Sequence, residues 1–123
     1  MNPFTTTLSR APGSVATARQ LVHAQTSSLD RERRADAALM VSELVTNALV
    51  HGTGKISLRI DLKPEGLRIE VSDEGDVRLS PSPTPGAEGG WGLRIVEQLA
   101  DEWGVLEGST KVWFRLDRSP TQH

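Results

Sequence analysis

The segment Val41-Ser42-Glu43-Leu44-Val45-Thr46-Asn47-Ala48 lies within the strongest periodic stretch of the sequence, between Asp30 and Gly52. Apolar residues recur there at the spacing of one buried helix face, at Ala37, Val41, Leu44, Val45 and Ala48. Asp30 is a suitable N-cap, and Gly52 together with Gly54 is expected to end the helix. The sequence therefore predicts a long helix with one face buried in the core.

Two polar residues of this helix, Glu43 and Asn47, are four positions apart and so project from neighbouring turns on the same side. A carboxylate and an amide oxygen suit Mg²⁺, a hard cation that keeps some of its waters and also holds phosphates. The same spacing is common by chance, and a polar helix edge is the more frequent explanation when it occurs alone. The pair therefore indicates a magnesium site only in combination with further motifs.

The preceding and following segments supply further elements. Ser14 is a candidate cap for an earlier helix that ends near Ser27, and a short edge strand is predicted over Phe4 to Ser9. After the long helix, Lys55 to Leu62 and Leu67 to Val71 alternate apolar and polar residues. This alternation predicts two antiparallel strands with one polar face, so helices should cover only the other face.

The C-terminal part contains a long loop from Asp73 to Gly90, a helix that starts at Trp91 and is ended by Gly104, and a hairpin. The strands of that hairpin are predicted over Gly104 to Leu106 and Val112 to Leu116. Helices and strands in separate layers predict an α+β two-layer sandwich, a mixed, mostly antiparallel sheet covered on one face by helices. At 123 residues, a single domain over residues 1–123 is expected.

Two glycine-containing turns add candidate binding residues. Asp73 follows a buried strand, and Gly75 leaves room for a flat ligand, so the Asp73 carboxylate can accept a hydrogen bond from an amine such as that of adenine. Gly89-Gly90-Trp91-Gly92 leads into a helix, where free N–H groups and the helix dipole favour phosphate. An ordinary aspartate turn and a flexible helix entry are the alternative explanations.

The order of three motifs carries a family resemblance that none of them carries alone. The stretches 41–48, Val71-Ser72-Asp73-Glu74-Gly75 and Gly90-Trp91-Gly92-Leu93-Arg94-Ile95-Val96 resemble the N, G1 and G2 boxes of the GHKL (Bergerat-fold) ATPases. More narrowly, the chain is similar to the small actinobacterial anti-sigma-factor serine kinases of the RsbW and SpoIIAB type. The resemblance extends over nearly the whole chain, through the strand Val112-Trp113-Phe114.

The resemblance implies ATP and Mg²⁺ as cofactors and assigns roles to individual residues. Asn47 would ligate Mg²⁺, and Glu43 would orient or deprotonate the attacking hydroxyl. Asp73 would hold adenine, with Gly75 beside the base. In this family a threonine often contacts the base from the position that Lys111 occupies here, which leaves Thr110, one residue earlier, as the candidate hydroxyl.

The remaining implied features concern the phosphates and the partners. Gly90, Gly92 and Leu93 would approach the phosphates, and residues 77–89 would form the ATP lid. Val77 replaces the second glycine of a full D-x-G-x-G box and restricts the backbone where the lid begins. Proteins of this type bind ATP or ADP, form homodimers, sequester a sigma factor and phosphorylate an anti-anti-sigma protein of the STAS type.

Composition narrows the possible functions. The formal net charge of −2 gives no overall attraction to nucleic acid or to an anionic membrane, so neither is expected as a partner. The absence of cysteine excludes disulfides and Cys-based zinc sites. No secretory signal or membrane span is recognised, and the cytoplasm is the expected location.

Two functions from different classes follow. The first is an enzyme, a protein serine/threonine kinase that also acts as an anti-sigma factor, because both Glu43 and Asn47 are present. The second is a non-catalytic binding module whose affinity for a protein partner depends on nucleotide, because Val77 and Lys111 depart from the family pattern. The catalytic half of a two-component histidine kinase is a weaker alternative, since His23 is followed by Ala24 rather than an acidic residue.

Overall fold

The computed structural model describes residues 3–75, 93–106 and 110–118. These ranges contain five strands and three helices in the predicted order. The elements are β1 (Phe4–Leu8), α1 (Gly13–Gln25), α2 (Arg31–His51), β2 (Ile56–Lys63), β3 (Gly66–Ser72), α3 (Arg94–Leu99), β4 (Glu102–Val105) and β5 (Val112–Asp117).

The five strands form one sheet in the order β1-β2-β3-β5-β4, and every neighbouring pair is antiparallel. The register places Ile60 opposite Ile69, and Ile69 opposite Phe114. The α+β fold predicted from the sequence is confirmed. Within the described residues the sheet is antiparallel throughout, so no parallel pair accompanies the antiparallel ones there. As predicted, β1 lies at an edge of the sheet.

One face of the sheet is buried under the helices. The alternating residues Leu58, Ile69 and Phe114 are fully buried and belong to the same core cluster as Val41 and Val45 of α2. Most intervening residues are polar or charged and point to the opposite face, as the pairing of Arg59 with Glu70 illustrates. Trp113 is an aromatic exception on that face, where the Arg68 guanidinium lies 4.3 Å from the centre of its ring. The fully buried apolar core lies on the face that the helices cover, and its burial stabilises the two-layer arrangement.

Helix α2 has the boundaries that the sequence predicts. The Asp30 carboxylate accepts a hydrogen bond from the N–H of Arg33 at 2.8 Å, which caps the helix. At the other end, the N–H of Gly52 donates to the carbonyl of Ala48 at 3.0 Å. Among the described helices, none combines the length and apolar content of a membrane-crossing segment.

Helix α1 starts differently from the prediction. Pro12 occupies the N-cap position, and Ser14 lies inside the first turn rather than capping it. The Ser14 hydroxyl is buried and donates to the carbonyl of Ser9 at 2.5 Å, so it ties the helix to the end of the first strand. The helix ends at Gln25, two residues before the predicted end.

Gly104 does not end a helix, which corrects the prediction for the C-terminal part. Helix α3 stops at Leu99, and Asp101 already donates its N–H to the carbonyl of Arg115 at 2.9 Å. Gly104 lies inside β4, where a Cβ atom would come within 3.2 Å of the Trp113 ring. The glycine is therefore accommodated in a strand because an aromatic ring packs directly on its backbone.

Candidate functional site

Three of the predicted site residues line one cavity. Asn47 reaches it from α2, Asp73 from the end of β3 and Thr110 from the start of β5, with apolar walls from Leu44, Ala48, Val71 and Val112. The cavity measures about 20 Å³, room for about one water molecule. A nucleotide base is far larger, so its binding would require the base to lie across the mouth or the walls to separate.

Asp73 is held at its backbone by Thr110. The N–H of Asp73 donates to the Thr110 hydroxyl at 3.1 Å, and that hydroxyl donates to the carbonyl of Asp73 at 3.0 Å. The carboxylate oxygen Oδ1 accepts from the N–H of Gly75 at 2.6 Å. Within the described residues Oδ2 accepts no hydrogen bond, so it remains available for a donor such as an exocyclic amine.

The loop between α2 and β2 lies directly against the Asp73 carboxylate. A Cβ atom on Gly52 would fall 2.2 Å from Oδ2, and one on Gly75 would fall 2.8 Å from Oδ1 and 3.3 Å from the Thr53 hydroxyl. Only glycine fits at these two contacts without displacing the carboxylate. The sequence pattern identified Gly52 as a helix stop, and the contact of Gly52 and Thr53 with the Asp73 turn was not predicted.

Glu74 anchors the same loop and does not face the cavity. Its N–H donates to the carbonyl of Thr53 at 2.9 Å, and its Oε1 accepts from the N–H of Lys55 at 3.0 Å. Gly54 has a φ of +73°, and a Cβ atom there would come within 2.1 Å of Glu74 Oε1. The acidic side chain after Asp73 therefore has a structural explanation.

Glu43 lies one turn before Asn47 on α2, outside the lining of this cavity. Its side chain is half-buried, and burial raises the pKa of the carboxyl above its ordinary value. Within the part of the chain that the structure describes, no hydrogen bond or ion pair holds this carboxylate. A carboxylate with a raised pKa and no partner is suited to accept a proton.

Other residues predicted for the site do not line this cavity or are not described by the structure. Gly90, Gly92, Val77 and the proposed lid 77–89 fall outside the described residues. Leu93 is described and its side chain is buried in the core, so only its backbone is free to approach a ligand. Lys111 lies on the opposite face of the sheet, 3.3 Å from Glu70, whereas Thr110 lines the cavity.

The donor set suits a magnesium ion that is shared with phosphates. Among the described residues there is no cluster of three or more histidine, aspartate or glutamate side chains, so a cation held by protein ligands alone is not found in that part of the chain. Magnesium bound with phosphates needs only one or two protein ligands and several waters. Asn47, which lines the cavity and carries an amide oxygen, fits that requirement.

Comparison with known proteins identifies the family and supports the fold. Residues 8–116 match the family model described as the histidine kinase-like ATPase domain. A crystal structure of the RsbU and RsbW domains of Rv1364c from Mycobacterium tuberculosis is 24% identical in sequence and superimposes with a TM-score of 0.69. The match covers 96% of this chain and 32% of that chain, so this chain spans about a third of its length.

No match is found among curated proteins. At this level of identity the solved structure supports the fold, and the family model supplies the assignment. The match to the family model runs from the end of β1 into β5 and includes every element that forms the cavity. The family consists of ATPase domains, which implies ATP as the ligand. The chain belongs to the histidine kinase-like ATPase domain family.

Proposed function

We propose that this protein is an anti-sigma factor that binds ATP and phosphorylates a serine or threonine of an anti-anti-sigma antagonist of the STAS type. The observation that carries the proposal is the joint placement of Asn47, Asp73 and Thr110 around one cavity, with Glu43 one helical turn away. Membership of an ATPase-domain family and the fold shared with a chain that contains an RsbW domain support it.

The proposed reaction assigns a separate task to each polar side chain. Asp73 orients adenine by accepting a hydrogen bond from the exocyclic amine at Oδ2, the oxygen without a partner among the described residues. Asn47 would hold Mg²⁺, which neutralises phosphate charge when bound. Gly90, Gly92 and the backbone of Leu93 would approach the phosphates. Residues 77–89 would close over the nucleotide.

Glu43 is proposed as the general base. The hydroxyl oxygen of the antagonist forms the new bond to the γ-phosphorus, ADP departs with the bridging oxygen, and the hydroxyl proton passes to the Glu43 carboxylate. Burial raises the pKa of this carboxyl, which makes it a better proton acceptor near neutral pH than an exposed glutamate. It lies on the same helix as Asn47, one turn away, so regular helix geometry sets the spacing of the two side chains.

The proposal also includes the organisation of the whole molecule. Residues 1–123 form a single ATPase domain that pairs as a homodimer in the cytoplasm and sequesters a sigma factor. No direct contact with nucleic acid or membrane is part of it, in keeping with a net charge of −2.

A phosphoryl-transfer assay tests the proposal. The full chain is incubated with Mg²⁺, γ-labelled ATP and a panel of STAS-domain proteins from the same genome. We expect label on one of them, and a loss of about 10²-fold or more in rate with Glu43→Gln. Glu65→Gln, the same change at an exposed turn, is the matched control and should transfer label normally.

A second candidate function is a nucleotide-dependent binding module without transfer. Both hydrogen bonds of the Thr110 hydroxyl are made with the backbone of Asp73 and neither with a ligand, which favours weaker binding of the base. Saturable ATP binding without label on any partner, unchanged by Glu43→Gln, would establish this second function. Absence of ATP binding altogether would contradict both.

A further inference from the structure

Arg10 makes a group of contacts that no motif of the sequence indicated. It follows β1, and its guanidinium reaches across to the end of α2. Nη2 lies 2.7 Å from the carbonyl oxygen of Ala48, 2.5 Å from that of Leu49 and 3.0 Å from that of Gly52. Nη1 lies 3.1 Å from the carbonyl oxygen of Gly54. One half-buried side chain therefore serves four carbonyls that are 38 to 44 positions away in sequence.

The contacts have a clear electrostatic basis. The last four carbonyls of a helix lack intrahelical N–H partners, and the helix dipole places partial negative charge at that end. A planar guanidinium with five N–H groups can serve several of these oxygens at once, which a lysine ammonium cannot do in one plane. Arg10 thus fixes both the end of α2 and the Gly52–Gly54 loop that follows it.

That loop is also the surface against which Asp73 lies. Gly52 packs closely against the Asp73 carboxylate, and a Cβ atom on Gly52 would come within 2.2 Å of Oδ2. The carbonyl of Thr53 accepts a hydrogen bond from the N–H of Glu74 at 2.9 Å, which connects the loop to the Asp73 turn. Arg10 itself does not line the cavity that contains Asp73. Arg10 therefore reaches the site through two neighbours, Gly52, which lies against Asp73, and Ala48, which lines the cavity itself.

We propose that Arg10 is a positioning residue for base recognition, which orients the Asp73 carboxylate toward the adenine amine by holding the Gly52–Gly54 loop. This inference rests on the proposed nucleotide site. It assigns to Arg10 a share in the selectivity for adenine over bases that lack the exocyclic amine.

The test compares two nucleotides that differ at this amine. ADP and inosine diphosphate are titrated with Mg²⁺ into the full chain, its Arg10→Gln variant and its Arg118→Gln variant. Arg118 is the matched control because its guanidinium also holds carbonyls, those of Lys63 and Pro64, together with the Ser28 hydroxyl. Those contacts lie at the opposite end of β2 from Gly54.

We expect wild type and Arg118→Gln to bind ADP more tightly than inosine diphosphate. In Arg10→Gln the ratio of the two affinities should fall about tenfold, because the lost interaction is one hydrogen bond to a charged group. An equal loss for both nucleotides in Arg10→Gln would overturn the inference, since it would indicate a general effect of charge or stability. An unchanged preference would overturn it as well.

Two further measurements keep these outcomes distinct. If Arg10→Gln does not fold, Gly52→Ala tests the same path, because its backbone is extended at φ −97° and the added methyl group meets the Asp73 carboxylate. Retained preference for ADP in Gly52→Ala would overturn the inference. Wild-type protein that binds neither nucleotide would contradict the proposed function itself, whereas wild-type selectivity that survives in Arg10→Gln contradicts only the role of Arg10.

Discussion

At the scale of single residues, Glu43 links the chemistry of the site to protein stability. Because burial raises the pKa of its carboxyl, the folded protein binds this proton more tightly than the unfolded chain. The resulting contribution to stability is complete below the ordinary glutamate pKa and is lost as pH rises through the folded-state value. Glu43→Gln removes this loss, so we expect the variant to have a higher free energy of unfolding than wild type at neutral pH.

The measurement is urea unfolding of both proteins across the pH range. The gain from Glu43→Gln should shrink toward zero below the ordinary glutamate pKa, where the wild-type carboxyl is protonated in both states. Glu65→Gln, the same change at an exposed turn, is the control for the loss of one negative charge. A gain for Glu43→Gln that persists unchanged into acid would show that packing, and not ionisation, is responsible.

The sequence predicted those residues of the candidate site that a local pattern identifies, and it missed those whose contacts join distant segments. Glu43 and Asn47 could be placed on one helix side from their spacing alone, and Asp73 from its position at the end of a strand. The contacts of Gly52 with Asp73 and of Arg10 with four carbonyls join segments that are distant in the chain. No local sequence pattern predicts these long-range contacts, because a single arginine outside a periodic segment gives no indication of its partners.

At the scale of elements, Thr110 joins the end of β3 to the start of β5 through a pair of hydrogen bonds to Asp73. Thr110→Val keeps the shape of the side chain but leaves the N–H and C=O of Asp73 without their partner. We expect a loss of about 1–3 kcal/mol in the free energy of unfolding. Weaker ADP binding should accompany it, because Asp73 is no longer held.

Urea unfolding and ADP titration of the variants measure the two effects. Thr110→Ser retains the hydroxyl and should recover most of both losses, since it removes only a methyl group. Equal destabilisation by serine and valine would attribute the effect to lost packing against the cavity wall and would contradict the role of the hydroxyl.

The helices and strands show where a sequence pattern is sufficient to predict an element and its bounds. Helix α2 was predicted with its boundaries because its cap, its apolar stripe and its stop glycine are all local. Gly104 was assigned to a helix end because glycine is typical of that position. Its actual place in β4 depends on the Trp113 ring of the neighbouring strand, a contact that only the folded sheet provides.

At the scale of the whole molecule, the helices and the sheet share one core. The buried cluster takes residues from α1, α2, α3 and the strands, for example Val22, Val96 and Phe114. A shared core favours a single cooperative unfolding transition. We therefore expect two unfolding curves of a Trp91→Phe variant to superimpose. One is far-UV circular dichroism, which follows mainly the helices, and the other is the fluorescence of the two remaining tryptophans, Trp103 and Trp113, in the sheet.

Nucleotide should shift that single transition without splitting it, because the cavity is formed jointly by α2, β3 and the start of β5. At a free ADP concentration of about 100 times Kd, the gain should be about 2.7 kcal/mol. Asp73→Asn should unfold in one transition and lose most of the ADP-dependent gain, because its amide offers a weaker acceptor to the base. Two separate transitions, with only one responsive to ADP, would instead show that the nucleotide site belongs to a unit that unfolds independently of the rest of the sheet.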